Sequence, residues 1–271
     1  MEEYMSNTLY GGIPFHIGNL SLLHTLRLGG NFDTKAEDAK WLSTLHSLTT
    51  LELSSVRKLG SSHQWLQSIS KLIPNLTELR LIDCNLLDYD IQSLFHSPSS
   101  NFSTSLTILD LSSNMLTSPS TLQLLFNFSL HLQELYLSYN NIDLSISLRL
   151  NFPSLKTLDI SYSSLPSSMF LANFNISSKL QELYLRNCSL VDRNFLVSSS
   201  STMNSFSSLL YLDLSHNLLK SCSVFYWLSN FTTNLRTLYL PYNFLEGPIP
   251  DDFGKAMKYL VNLVFVEHSR T

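Results

Sequence analysis

Leu132-Gln133-Glu134-Leu135-Tyr136-Leu137 returns letter for letter as Leu180-Gln181-Glu182-Leu183-Tyr184-Leu185. Extended to the next polar residue, the two stretches read L-x-x-L-x-L-x-x-N from Leu132 to Asn140 and L-x-x-L-x-L-x-x-C from Leu180 to Cys188. Working outward, the same frame runs Leu23 to Asn31, Leu48 to Val56, Leu76 to Cys84, Leu106 to Asn114, Leu155 to Ser163, Leu209 to Asn217 and Leu235 to Asn243. Leu260, Leu263, Phe265 and His268 form a worn last copy, and Asn7, Leu9, Gly12, Ile13 and Pro14 form the back half of an earlier one. Successive anchors stand roughly 23 to 30 residues apart, the period of a stacked repeat array. The frame predicts an α/β solenoid with about ten parallel concave strands and irregular or short-helical convex segments.

Side-chain alternation explains the frame. Residues two apart in an extended segment share a face, so Leu135 and Leu137 point into the core and Tyr136 points out. Burying a large apolar side chain contributes roughly 1.5–3 kcal/mol, while ordering the backbone costs roughly 1–2 kcal/mol per residue. A single repeat therefore cannot fold alone and needs its neighbours. Where the chain leaves the strand, backbone groups lose their sheet partners, and a buried amide can donate and accept there. Asn31, Asn114, Asn140, Asn217 and Asn243 are expected to form such a ladder, with Cys84 and Cys188 as weaker substitutes and a break at Val56, which cannot hydrogen-bond. Helices are expected over Ala36–Leu45 and Ser62–Leu72. Trp41, Trp65 and Trp227 should fill the core behind the sheet, with Phe102, Phe128, Phe152, Phe206 and Phe231 as a second core column.

Bulk properties exclude several classes. The chain has 271 residues, a net charge of -4, 44% hydrophobic and 14% charged residues. No basic patch argues for nucleic acid, and no apolar run approaches the roughly 18 residues of a membrane span. The histidines lack metal-ligand spacing and there is no Gly-rich phosphate loop, so catalysis, metal and cofactor find no support.

Leu9-Tyr10-Gly11-Gly12-Ile13-Pro14-Phe15-His16-Ile17-Gly18-Asn19-Leu20 and Leu245-Glu246-Gly247-Pro248-Ile249-Pro250 resemble the L-x-G-x-I-P-x-x-I-G-N-L segment of plant extracellular leucine-rich repeats. Leu53-Ser54-Ser55-Val56 with Trp65-Leu66, and Pro250 to Met257, resemble plant receptor-like proteins of the fungal-elicitor receptor kind. The resemblance implies a leucine-rich-repeat superhelix over residues 1–271: a partial first repeat at 1–19, nine repeats at 20–259 and a truncated last repeat at 260–271. Signal peptide, cysteine-paired caps and membrane span, which such receptors carry, are not seen in this sequence. The chain is accordingly expected to be a fragment of a parent on the extracellular face of the plasma membrane. A peptide or protein ligand is the implied partner, with a co-receptor kinase engaged through a missing C-terminal part. A soluble polygalacturonase-inhibitor-like protein and a non-functional truncated remnant are the alternatives.

The outward strand positions are where a ligand is expected. They read Arg27, Glu52, Arg80, Asp110, Tyr136, Asp159, Tyr184, Asp213, Tyr239. The first block alternates in charge, which cross-strand pairing explains at roughly 0.2–1 kcal/mol per pair. The second alternates acid with tyrosine and is bordered by Tyr139, Tyr162, Tyr211 and Tyr242. Aromatics beside carboxylates suit a peptide or a basic protein surface, and the strip from Asp110 to Tyr242 is the expected ligand face; alternating family consensus with no ligand is the competing explanation. Sequons at Asn19, Asn75, Asn101, Asn127, Asn175 and Asn230 are candidate glycosylation sites, and Asn187 is a poorer one.

Overall fold

The computed structural model describes residues 10–13, 15–33, 36–56, 59–60, 63–73, 75–95, 105–128, 131–142, 152–165, 177–195, 207–231 and 234–266. The chain divides into two compact units, Met1–Asn140 and Asn141–Thr271. Strands in the first are β1 (Tyr10–Gly12), β2 (Thr25–Gly29), β3 (Asn31–Asp33), β4 (Thr50–Ser54), β5 (Glu78–Ile82), β6 (Ile108–Asp110) and β7 (Glu134–Tyr136). The second holds β8 (Thr157–Asp159), β9 (Glu182–Tyr184), β10 (Tyr211–Asp213), β11 (Thr237–Tyr239) and β12 (Asn262–Val264).

Each unit is an α/β solenoid built on the leucine frame. In the first, β2, β4, β5, β6 and β7 pair in parallel with Leu26, Leu51, Leu79, Leu109 and Leu135 in one row. In the second, β8 to β12 pair in parallel with Leu158, Leu183, Leu212, Leu238 and Leu263 in one row. These rows are core, except that Leu263 on the last strand is 37% exposed. Ten parallel strands thus stand where ten frames were expected. A further two-stranded sheet, β1 with β3, was not legible from the frame.

Return segments close each turn over the leucines. Ala36–Thr44 is a 3-10 helix, tighter than the helix expected over Ala36–Leu45. His63–Leu72 (α1), Asp88–Phe95 (α2) and Pro119–Phe128 (α3) follow in the first unit, and Ser223–Phe231 (α4) and Phe253–Ala256 (α5) in the second. Trp41, Trp65 and Trp227 are buried behind the sheets as expected. Trp41 meets Trp65 edge-on at 6.3 Å, and Trp227 meets Phe195 edge-on at 5.3 Å. Phe152 is buried. Phe102 and Phe206 lie outside the described residues, as do the side chains of Phe128 and Phe231.

The anchor amides serve the turns of two repeats at once. Asn114 Nδ2 donates to the carbonyls of Leu81 (2.7 Å) and Leu111 (2.8 Å), and its Oδ1 accepts from Cys84 N (3.1 Å) and Leu86 N (3.0 Å). Asn217 repeats this with Leu185 and Leu214 as acceptors and Cys188 N and Leu190 N as donors. Asn140 and Asn243 likewise donate to two carbonyls each and accept from Leu116 N and Leu219 N. The cysteine thiols are poorer stand-ins: Cys84 Sγ donates to Leu53 O at 3.3 Å and Cys188 Sγ to Ile160 O at 3.4 Å. Val56 is fully buried. Asn31 opens β3 and pairs through its backbone with Tyr10; its side chain lies outside the described residues.

Just before each anchor the backbone turns left-handed. Ser55, Asp83, Ser113, Tyr139, Tyr162, Asn187, His216 and Tyr242 all have φ between 51° and 60°. Non-glycine residues pay roughly 1–2 kcal/mol for this conformation. It aims their N–H groups along the stack, as in Ser113 N to Ser138 O (2.8 Å) and His216 N to Pro241 O (2.9 Å), so a backbone donor at the turn is satisfied by the next repeat.

Candidate ligand-binding face

Outward strand residues form separate faces on the two units, and their electrostatics differ. On the first unit the charges are engaged with one another. Arg27 Nε bonds Glu52 Oε2 at 3.1 Å. Arg80 reaches Glu78 through Nε and Asp110 Oδ2 through Nη1 (3.1 Å), and its guanidinium lies 5.5 Å from the Tyr136 ring centroid. Burial would lower the Arg80 pKa, but the bonds and charges of Glu78 and Asp110 outweigh it and raise the value. Asp110 also accepts from Ser112 N (2.9 Å) and is only 7% exposed. Asp110 and Tyr136 are therefore held in a network, while Tyr139 stands 55% exposed beside its anchor.

The second unit presents a row of aromatic rings. Tyr184 and Tyr211 have centroids 4.8 Å apart, and Tyr211 and Tyr239 are 5.7 Å apart, each pair tilted by 35°. Tyr242, 53% exposed, stacks on His216 at 4.1 Å. Asp159 and Asp213 each accept a bond from the serine amide two residues on, Ser161 N (2.9 Å) and Ser215 N (2.8 Å). This D-x-S bond gives the aspartates a turn-forming role beside any ligand role, and leaves Asp213 8% exposed. Tyr162 is half-buried, and its N–H bonds Arg186 O. Burial pushes the Tyr211 hydroxyl up to about 12, reinforced by Asp213, Tyr239 and Glu182 and opposed by Arg186.

Two groups escaped the sequence reading. Glu134 and Glu182 accept the hydroxyls of Tyr136 (3.0 Å) and Tyr184 (3.1 Å) on their own strands. The signal was available, because residues two apart share a face and both belong to the duplicated hexapeptide. Arg186 and His216 are bonded at 2.9 Å, Arg186 Nη2 to His216 Nε2. Arginine only donates, so His216 Nε2 is the acceptor there; the two meet from the turns that follow neighbouring strands, which one-strand patterning does not reveal.

Among the sequons, Asn19 and Asn75 are exposed, and Asn75 Nδ2 donates to His46 O at 3.2 Å. Asn187 is exposed in its left-handed turn. Asn101 and Asn175 lie outside the described residues, as do the side chains of Asn127 and Asn230. No helix among the described residues is long and apolar enough to cross a membrane.

Parallel strands recurring with the leucine frame, buried anchors at the turns and a polar outward face define a leucine-rich-repeat protein. The Leucine Rich Repeat family profile matches residues 105–125, 131–151 and 234–256. In sequence, part of the chain is similar to a plant receptor-like protein. It is 36% identical over 132 residues to receptor-like protein EIX1 of Solanum lycopersicum, a match covering 49% of this chain and 12% of that relative. The chain thus spans a small part of that protein's length. Among solved structures, the PEPR1–AtPEP1 complex aligns over 96% of this chain and 34% of its own, with a TM-score of 0.57 and 25% identity. The TLR13–ssRNA13 complex (TM-score 0.58, 20% identity, 94% of this chain and 37% of that one) shares the fold. So does an internalin from Listeria monocytogenes (TM-score 0.54, 19% identity, 93% and 76%).

Proposed function

We propose that this chain is a ligand-recognition segment of the extracellular region of a plant receptor-like protein acting in defence or development, and that it binds a peptide or protein on its outward strand faces. The observation that carries this reading is the tyrosine row Tyr184, Tyr211, Tyr239. Rigid rings give large contact area at low entropic cost, the chemistry of a protein-binding surface rather than of catalysis. The similarity to receptor-like protein EIX1 supports an extracellular or membrane-associated parent, and the peptide-bound structural neighbour supports a peptide as one form of ligand. A co-receptor kinase and glycans on Asn19 and Asn75 belong to the same proposal.

The test is selection of an unbiased displayed peptide library on the whole chain. Enriched peptides should bind the wild type and lose at least tenfold in affinity on Tyr184→Ala. Failure to enrich any peptide, or enriched peptides indifferent to Tyr184→Ala and Tyr239→Ala, would overturn the reading.

A further inference from the structure

Glu52, Glu78 and Asp110 on the first unit are paired with arginines, Glu52 with Arg27 and the other two with Arg80, whereas Glu134 on β7 bonds the Tyr136 hydroxyl. On the second unit the outward strand positions of β8 to β10 hold Asp159, Glu182 and Asp213 with no lysine or arginine among them. Among the described residues no ion pair reaches Glu182 or Asp213. Arg186, two residues beyond β9, is bonded to His216 and also acts electrostatically on Tyr211.

Strand register arranges these groups as a checkerboard. Glu182 lies opposite Tyr211, and Tyr184 opposite Asp213. One diagonal is the touching ring pair Tyr184 and Tyr211. The other holds the two carboxylates, and with strands about 4.8 Å apart and a rise of about 3.3 Å per residue their Cα atoms stand about 8 Å apart. Each acid keeps one local bond, Glu182 from the Tyr184 hydroxyl and Asp213 from Ser215 N, which fixes its direction and comes from a neutral donor. A planar guanidinium has donors on several edges and stacks on aromatic rings, so it suits two carboxylates flanking a ring pair better than a compact ammonium does.

We propose that Glu182, Tyr184, Tyr211 and Asp213 form a subsite for a cationic side chain, an arginine above all, of the ligand, and that the arginine-paired acids Glu52, Glu78 and Asp110 of the first unit form none. This rests on the ligand-recognition reading and narrows it to one chemistry at one place. Glu182, the more open of the two acids, meets the cation first. The same negative surroundings that help hold the Tyr211 hydroxyl near 12 are what the cation would relieve, so occupancy should bring that value down.

The experiment compares acetyl-Gly-Arg-Gly-amide with its citrulline twin, which keeps shape and loses charge, in a chemical-shift titration of the whole chain at low salt. The arginine peptide should bind at least tenfold more tightly. That preference should vanish in Glu182→Gln, weaken in Asp213→Asn and persist in Glu52→Gln on the first unit. Glu182→Gln keeps an acceptor for the Tyr184 hydroxyl, and an unchanged circular dichroism spectrum excludes misfolding. Equal binding of the two peptides would overturn the proposal, as would a preference that survives Glu182→Gln or disappears in Glu52→Gln. The outcomes separate cleanly from the wider reading: library peptides that need Tyr184 but ignore arginine-to-citrulline exchange sink this subsite and leave the ligand face standing.

Discussion

Asn114 shows how much of a repeat hangs on one side chain. Its amide closes its own turn on Leu111 O, reaches back to Leu81 O and accepts from the amides of Cys84 and Leu86. Alanine would strand these buried groups without water, at about 1–3 kcal/mol for each group left unsatisfied. Asn114→Ala should therefore lose about 3 kcal/mol or more in urea unfolding, and Asn114→Cys less, because a thiol donates weakly, as at Cys84. The cysteines give a second prediction. Burial pushes the thiols of Cys84 and Cys188 up to about 12, while Cys222 is only half-buried and free. Near pH 8 one thiol, Cys222, should react promptly with a colorimetric disulfide reagent, and all three after denaturation. Prompt reaction of two or more in the folded chain would contradict the buried anchors. These anchor positions were legible because the frame marks them by residue type; the left-handed residue before each was not, since serine, tyrosine, aspartate, asparagine and histidine all occur there and share only backbone conformation.

Helices are tied to the repeat before them by a carboxylate. Asp88, at the start of α2, accepts from Ser118 N (3.0 Å), Thr117 N and the Thr117 hydroxyl ahead of α3, and also from the Thr121 hydroxyl inside it. Asp192 does the same for α4 through Lys220 N, Ser221 N and the Ser223 hydroxyl. A carboxylate at a helix N-terminus satisfies orphan amides and favours the dipole. Burial alone would raise the Asp88 pKa, but its bonds to Thr121, Ser118 and Thr117 outweigh this and lower it. With the folded value below the unfolded one, the stabilisation is present above the unfolded pKa of roughly 4 and is lost as pH falls through the folded value. Asp88→Ala should cost about 1 kcal/mol near neutrality, and the gap between wild type and variant should close on acidification below about pH 4. A gap that widens there would refute the sign. No sequence pattern announced these caps, because donor and acceptor lie in different repeats about thirty residues apart. The strands were legible for the opposite reason: alternation of leucine with polar residues is a local signal, repeated ten times. Ala36–Thr44 falls between, with its place legible and its tighter winding not.

Across the molecule, the leucine frame made the display positions legible but not their state. Alternation showed that Asp110 and Asp213 face outward; only neighbouring strands show that one is held by Arg80 while the other meets no cation among the described residues. The ends of the stack carry the last consequence. Among the described residues β12 pairs with β11 alone, and Leu263, whose counterpart Leu238 is fully buried, is 37% exposed beside Val261 at 76% and Val266 at 69%. On the first unit, β2 has Leu22 at 80% and Leu20 at 54% close by. A strand edge with open amides and carbonyls beside uncovered leucines is a template for another strand. Residues 1–271 in isolation should therefore associate through these ends in a concentration-dependent way, read as a rising weight-average mass in sedimentation velocity. Because the contact is apolar and backbone-bonded, raising salt should not dissolve it, unlike a contact through the acidic face. Leu263→Lys places a charge on the edge and should shift the association to higher concentration without altering the unfolding midpoint of the first unit. A monomer at every accessible concentration would mean that the last turn folds over its own edge, and β12 would then need a covering segment.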